Sequence, residues 1–324
     1  MSVIPAELPL DDAATQRQLR RGERRGEASL AGKTKKRLTS RGATIAALVI
    51  AVLWSIPTVG LFVSSFRPAQ EVRTTGWWTI LQNPGLTLDN YREALAAGNS
   101  QLNLAGAFIN SIAITLPATL IPLMVASLAA YAFAWVDFRG RNILFIGVFA
   151  LQIVPIQMAL VPLLQFFSAG TLFGTPVVEA LQPGSGYTQV WIAHSMFALP
   201  LAIYLLHNFI SEIPGEMIEA ARVDGAGHGQ IFFRIVLPLT MPAIASIAIF
   251  QFLWVWNDLL VALIFADGAV APMTKLLAEL SGARGQDWYL LTAGAFISIV
   301  VPLIVFFSLQ RFFVRGLLAG STKG

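Results

Sequence analysis

The side chains of this sequence that could do chemistry are few, and most stand inside long apolar runs: Asn110, Gln152, Gln157, His194, Gln251, Asn257 and Asp258. An amide or ionisable group in such a place faces a bundle interior or a water-filled path, because hydrocarbon offers it no partner. Trp254 and Trp256 add aromatic surface beside Asn257 and Asp258. Hydrolytic and metal chemistry find no support. His194, His207 and His228 have no carboxylate at ligand spacing, no G-x-S-x-G stretch opens a helix, and there is no cysteine to supply a thiolate. The stretch GEASLAGKT puts Glu27 where a phosphate-cradling loop needs its first glycine, and no strand precedes it. These absences argue against an enzyme and leave a passage or a partner surface.

The elements that must hold these groups follow from composition. Hydrophobic residues make up 56% and charged residues 12%, with a mean hydropathy of +0.67, which places the chain in a membrane. Six runs, at about 44–66, 106–135, 142–166, 188–210, 240–265 and 290–314, reach the roughly 20 apolar residues that one helical crossing needs. Helices are expected, because lipid gives backbone N–H and C=O groups no outside partner and no alternating pattern marks barrel strands. Pro57, Pro117, Pro122, Pro155, Pro162, Pro200 and Pro302 fall inside the runs and are expected to kink them rather than break them. The tail before the first run is dense in Arg and Lys from Arg17 to Arg41. With that tail inside, Arg139, Arg141, Arg222, Arg234, Arg311, Arg315 and Lys323 share its side, and Arg67, Arg73, Arg92, Lys275 and Arg284 lie outside. This asymmetry makes both termini cytoplasmic. A nucleic-acid arm is the rival reading of the tail, and attraction to anionic lipid accounts for it better in a multispan chain.

One polar, glycine-punctuated segment interrupts the apolar pattern: EIPGEMIEAARVDGAGHGQIFFRIVLPLTMPA, residues 212–243. Pro214 suits the start of a helix, Glu216 and Glu219 complement its positive N-terminal end, and Gly225 and Gly227 are ready stops. Ala220 and Ala221 leave one side without bulk, so the helix can enter a partner's cleft. Composition alone favours the alternative, an amphipathic loop lying on lipid headgroups. Spacing decides between them. Glu219-Ala220-Ala221, three residues, Gly225, nine residues, then Ile235-Val236-Leu237-Pro238 resembles the EAA motif of the inner-membrane permeases of ABC importers.

The resemblance implies a type I ABC importer permease fold: an all-α membrane protein of six transmembrane helices with a cytoplasmic coupling helix. Glu219, Ala220, Ala221, Asp224 and Gly225 would then dock an ATP-binding subunit, with Ile235, Leu237 and Pro238 as the hinge to the fifth span. FINSIAITLPATLIPLMVASLAAYAFAWVDFRGR (108–141), FQFLWVWNDLLVALIF (250–265) and RFFVRGLLAGSTKG (311–324) are similar to the maltose-type second permease of carbohydrate importers. SSFRPAQEVRTTGWW (64–78) and WIAHSMFALPLAIYLLHNFI (191–210) resemble the α-glucoside branch of that group. Sugar is the implied cargo, with Trp254, Trp256, Asn257, Asp258, Gln152 and Asn110 as candidates along its path. Amide bridges between helices and an interfacial tryptophan belt are the other reading of those residues. The implied partners are a second permease subunit, two ATP-binding cassette subunits carrying ATP and Mg, and an extracytoplasmic sugar-binding protein, with no cofactor in this chain. The expected division is a basic tail at 1–42, a permease domain at 43–320 with its coupling loop at 211–241, and the end of a cytoplasmic tail at 321–324. An ion-coupled secondary transporter would need a driving-ion carboxylate in mid-membrane, for which only Asp258 is placed. An ABC permease for a solute other than sugar is a further alternative.

Overall fold

The computed structural model describes residues 41–96, 103–172, 175–177, 186–266, 268–282 and 287–319. The basic tail before residue 41, Arg284 and Lys323 lie outside them, as does part of the long loop expected at 168–189. The chain begins with α1 (Arg41–Ser65), α2 (Ala69–Thr74), a 3-10 turn at Trp77–Leu81, α3 (Asp89–Leu95) and α4 (Leu104–Trp135). Next come α5 (Arg141–Ala150), α6 (Ile156–Ala169) and a two-residue antiparallel pair, β1 (Thr171–Leu172) against β2 (Thr175–Pro176). Helix α7 (Tyr187–Ser211) leads to α8 (Gly215–Val223) and α9 (His228–Ile231), and a π turn at Phe232–Val236 joins α9 to α10 (Leu237–Trp256). Helices α11 (Leu260–Phe265), α12 (Met273–Gly282) and α13 (Trp288–Ala319) complete the order.

Among the described residues, five helices are long and apolar enough to cross a membrane: Gly42–Ser65, Leu104–Trp135, Tyr187–Ser211, His228–Trp256 and Trp288–Ser308. The sixth run is a bent pair, α5 with its 3-10 extension to Ile153 and then α6, turning through 103°. Contrary to the expectation of a kink, Pro155 marks a break in this run. Val154 takes an extended conformation (φ −70°, ψ 117°), as the residue before a proline prefers, and Pro155 follows it (φ −59°, ψ 134°). Pro57, Pro117, Pro122, Pro162, Pro200 and Pro302 remain inside helices. The fifth span also differs from its run. It starts upstream at His228 and ends at Trp256, so Asn257 and Asp258 stand in a break before α11.

Met1–Leu61 and Phe62–Gly324 are two compact units. Of the first, the described part is the apolar body of α1, with Leu48, Trp54 and their neighbours exposed. In the second, α4 packs along α7, and α10 packs against α4 and α13. Ala107, Ser111, Ile114, Ala118, Pro122, Ala126 and Ala130 of α4 are buried at spacings of three or four, a stripe of mostly small side chains that lets helices approach closely. Ala193 and Ala202 of α7 are buried beside it. One core cluster gathers the ends of α4 and α7 with the segment at 213–243, and another gathers Leu104 with Met273, Leu280 and Leu290 at the opposite end.

Candidate functional site

The segment after α7 forms a shelf packed against the ends of α4 and α7. Pro214 (φ −56°, ψ 128°) turns the chain into α8, whose first turn carries Glu216. Ile218 is buried on the inner face, and Ala221 packs partly against the same cluster. The outer face presents Glu216, Met217, Glu219, Ala220, Val223 and Asp224 to solvent. Arg222 Nη2 donates to the Trp135 carbonyl at 2.9 Å, a cation at the negative C-terminal end of α4. Trp135 Nε1 in turn donates to the Ile210 carbonyl of α7, and Tyr131 Oη meets His228 Nδ1 at 2.9 Å. The first and last of these bonds tie the shelf to α4, and the middle one ties α4 to the end of α7.

Gly225 closes α8. Its φ is 82°, its N–H donates to the Arg222 carbonyl at 3.0 Å, and the Ala226 N–H donates to the Ala221 carbonyl at 2.9 Å. That pair of bonds satisfies the last carbonyls of the helix and needs a left-handed residue, which glycine adopts without steric cost. The chain then re-enters helix at His228. At Phe232–Val236 the ladder widens, with the Leu237 N–H reaching back to the Phe232 carbonyl. Pro238, which has no N–H and a ring that crowds the carbonyl four residues back, follows this wide turn without ending the helix. Ile235 and Leu237 are half-buried in the same cluster as Ile218.

The second feature is a cavity of about 740 Å³ where the break at 151–156 meets α7 and α10; its lining includes Gln152, Ile156, Phe197, Leu201, Gln251 and Trp254. Gln251 Nε2 donates to the Ala118 carbonyl at 3.2 Å, which fixes the amide against α4. Trp254 stands edge-on to His194, with ring centroids 5.6 Å apart. His194 is fully buried, its Nε2 lies 3.8 Å from Asp258 Oδ2, and its Nδ1 has no hydrogen-bond partner among the described residues.

The sequence-derived candidates therefore separate. Gln152 and Trp254 meet at the cavity, while Gln157 is exposed on α6. Asn110 Nδ2 donates to the carbonyls of Ala269 and Ala271, and its Oδ1 accepts from Tyr187 Oη. Trp256 is buried, stacks on Phe252 and donates from Nε1 to the Ser298 carbonyl at 3.1 Å. Asn257 Nδ2 folds back to the Leu253 carbonyl at 2.7 Å. Asp258 Oδ2 accepts from the N–H groups of Val261 and Ala262, so it caps α11. Sequence reasoning missed the approach of His194 to Asp258, because nothing in either local pattern joins a position on α7 to one in the break after α10. Arg222 it counted only toward topology, and an Arg near a helix end is the signal that could have suggested a cap.

Comparison with known proteins gives this geometry a family. The description that matches, over residues 122–318, is the binding-protein-dependent transport system inner membrane component. The chain is 52% identical to the osmoprotective compounds uptake permease protein GgtD of Synechocystis sp., over 86% of this chain and 91% of that protein. It is 48% identical to the alpha-glucoside transport system permease protein AglG of Rhizobium meliloti, over 80% and 68% of the two chains. Its backbone matches the crystal structure of a bacterial alginate ABC transporter, in complex with an alginate pentasaccharide-bound periplasmic protein, at a TM-score of 0.63 and 18% identity, covering 86% of this chain and 96% of the other. The crystal structure of a bacterial ABC transporter involved in alginate import matches at 0.59 and 21%, covering 85% and 98%. At those identities the likeness carries the fold, which is that of a type I ABC importer permease. The chain thus belongs to the family of inner membrane components of binding-protein-dependent transport systems, as a multi-pass permease subunit that is not itself an enzyme.

Proposed function

We propose that this permease moves a sugar of the α-glucoside or related oligosaccharide class inward by alternating access, driven through its 211–241 loop by an ATP-binding subunit. The observation that carries the reading is the shelf itself. An exposed strip at Glu219, Ala220 and Asp224 offers a partner close approach, and its buried side is tied to α4 and α7, so a push on it moves two spans together. ATP and Mg reside on that partner. A second permease, a second ATP-binding subunit and an extracytoplasmic sugar-binding protein complete the assembly. Arg139 and Arg141 follow the end of α4 that Arg222 caps, and Arg222 and Arg234 lie within the shelf segment, which supports a cytoplasmic shelf and cytoplasmic termini. The division at residues 42 and 320 belongs to the same reading.

The cargo is supported by the relative named for alpha-glucoside transport. Along the path we assign Gln152 and Trp254 to the wall, and Asn110, Trp256, Asn257 and Asp258 to the frame that holds it, because the polar atoms of these four bond within the chain. The relative named for osmoprotective compounds supports a second reading, in which the cargo is a small osmoprotectant. The test is uptake by proteoliposomes holding the assembled complex and its binding protein, offered labelled α-glucosides and osmoprotectants in parallel. ATP-dependent accumulation of an α-glucoside is expected, and accumulation driven by an ion gradient without ATP overturns the coupling. Ala220→Trp, on the exposed face, is expected to remove the ATP-binding subunit from the purified complex. Full recovery of that subunit overturns the docking assignment.

A further inference from the structure

The segment between α1 and α3 is built like a bracket. Arg67, 1% exposed, donates from Nη1 to the Gly76 carbonyl at 3.0 Å and from Nη2 to Thr79 Oγ1 at 2.9 Å, Thr75 Oγ1 and Glu71 Oε2. Asn90 Nδ2 donates to the carbonyls of Ser65 and Arg67 at 2.9 and 2.8 Å, and the Thr87 N–H donates to the Phe66 carbonyl at 2.7 Å. Both ends of the segment 66–87 are thereby pinned to the last turn of the first span. The tip they hold is apolar: Trp78 is 64% exposed, Leu81 90% and Leu86 69%. Trp77 and Trp78 meet edge-to-face at 6.1 Å, and a Cβ on Gly76 would collide with the Trp78 indole, so the ring rests on bare backbone.

We infer that this tip is an interfacial anchor whose partner is the lipid bilayer itself, with Trp78, Leu81 and Leu86 lying at the boundary between headgroups and acyl chains. Three observations favour lipid over a protein. The loop closes on the residue where the first span ends, so its tip stays near membrane level. Its side chains are a tryptophan pair with leucines, the composition of an interfacial belt. The bracket ties the tip through an arginine whose bonds run to backbone, hydroxyls and Glu71 inside the loop, and residues 77 to 88 carry no charge. The anchor would fix the level at which the chain leaves the membrane after Ser65, and it stands whether the cargo is a sugar or not.

The chain has no cysteine, so a single spin label reports one position. Leu81→Cys and Leu86→Cys, both exposed and outside the bracket's bonds, are labelled in the assembled complex with thiol-free partner subunits. The complex is placed in phosphatidylethanolamine–phosphatidylglycerol vesicles without binding protein. Arg92→Cys, at an exposed ion pair with Asp89, serves as the aqueous reference. The expected result is a ratio of oxygen to nickel-chelate accessibility several-fold higher at 81 and 86 than at 92. A ratio equal to that at 92 places the tip in water and overturns the anchor. Low access to both reagents, or a change on adding binding protein, assigns the tip to a protein partner and overturns it equally.

Discussion

Pro155 and Pro238 set the same chemical problem, a missing N–H and a ring that crowds the preceding turn, and the two regions answer it differently. At Pro238 the ladder widens over Phe232–Val236 and the helix runs on to Trp256. At Pro155 the helix stops, a 3-10 turn intervenes, and the direction changes by 103°. The neighbours differ in one respect: Ile231, Phe232 and Val236 are buried in a core cluster, whereas Leu151, Gln152, Ile153 and Val154 are all exposed. At Pro238 the buried neighbours help hold the segment helical, and at Pro155 no packed neighbour on the 151–154 side opposes the extended preference of the residue before proline. The shelf is thus a packed helical segment, and the break is a corner that opens a cavity.

The largest expected effect tests the packing half of that contrast. Phe232→Ala removes a buried ring beside Tyr131 and should destabilise the assembled complex by about 3–5 kcal/mol, while Ile153→Ala, at a side chain 80% exposed, should stay within about 0.5 kcal/mol. Denaturation in mixed micelles measures both. Equal losses would mean that the break is packed as tightly as the shelf.

Next in size is a contrast inside the shelf. Gly225 stands at φ 82° and Gly227 at φ −75°, and a Cβ on either meets nothing within 4 Å. Only backbone strain separates them. Gly225→Val should cost about 1–3 kcal/mol and lower transport per assembled complex, and Gly227→Ala should leave transport unchanged. Comparable transport by the two variants would remove the left-handed turn from the coupling argument.

Much of this was legible in advance, for physical reasons that differ by residue. The spans follow from apolar length, and the glycine after α8 follows from the rule that helix ends need a left-handed residue. The bend at Pro155 was not legible, because other prolines in similar runs stay helical, Pro57 in a stretch as exposed as 151–154. The internal hydrogen bonds of Asn110 and Trp256 were hidden for a related reason. Their partners, Ala269, Ala271 and Ser298, are backbone carbonyls on distant segments, and a carbonyl has no signature in sequence.

The corner itself can be measured. Cysteines at Asn142 and Gln165, the only ones in the chain, would be about 35 Å apart along a straight helix at 1.5 Å per residue. A bend of 103° should give a clearly shorter distance by pulsed spin-label spectroscopy. Pro155→Ala restores the N–H and should move the population toward the longer distance. A wild-type distance near 35 Å would abolish the corner, and with it the cavity it shapes.

The smallest effect separates wall from frame. Asn257→Leu deletes one hydrogen bond, from Nδ2 to the Leu253 carbonyl, within a single helix end. Polar contacts of this kind in membrane helices contribute about 0.6 kcal/mol, so the loss should appear as slightly less assembled complex. Each complex that forms should transport at the wild-type rate with the wild-type half-saturation. Gln152→Leu, at the cavity, should instead shift half-saturation with little change in assembly, because an amide lost from the wall leaves a cargo hydroxyl without its partner while the helices keep their packing. Proteoliposome uptake across a range of cargo concentrations, normalised to assembled complex, reads both variants. If Asn257→Leu shifts half-saturation and Gln152→Leu does not, the path runs past the break at the end of α10 rather than past the break at Pro155, and the assignment of wall and frame is reversed.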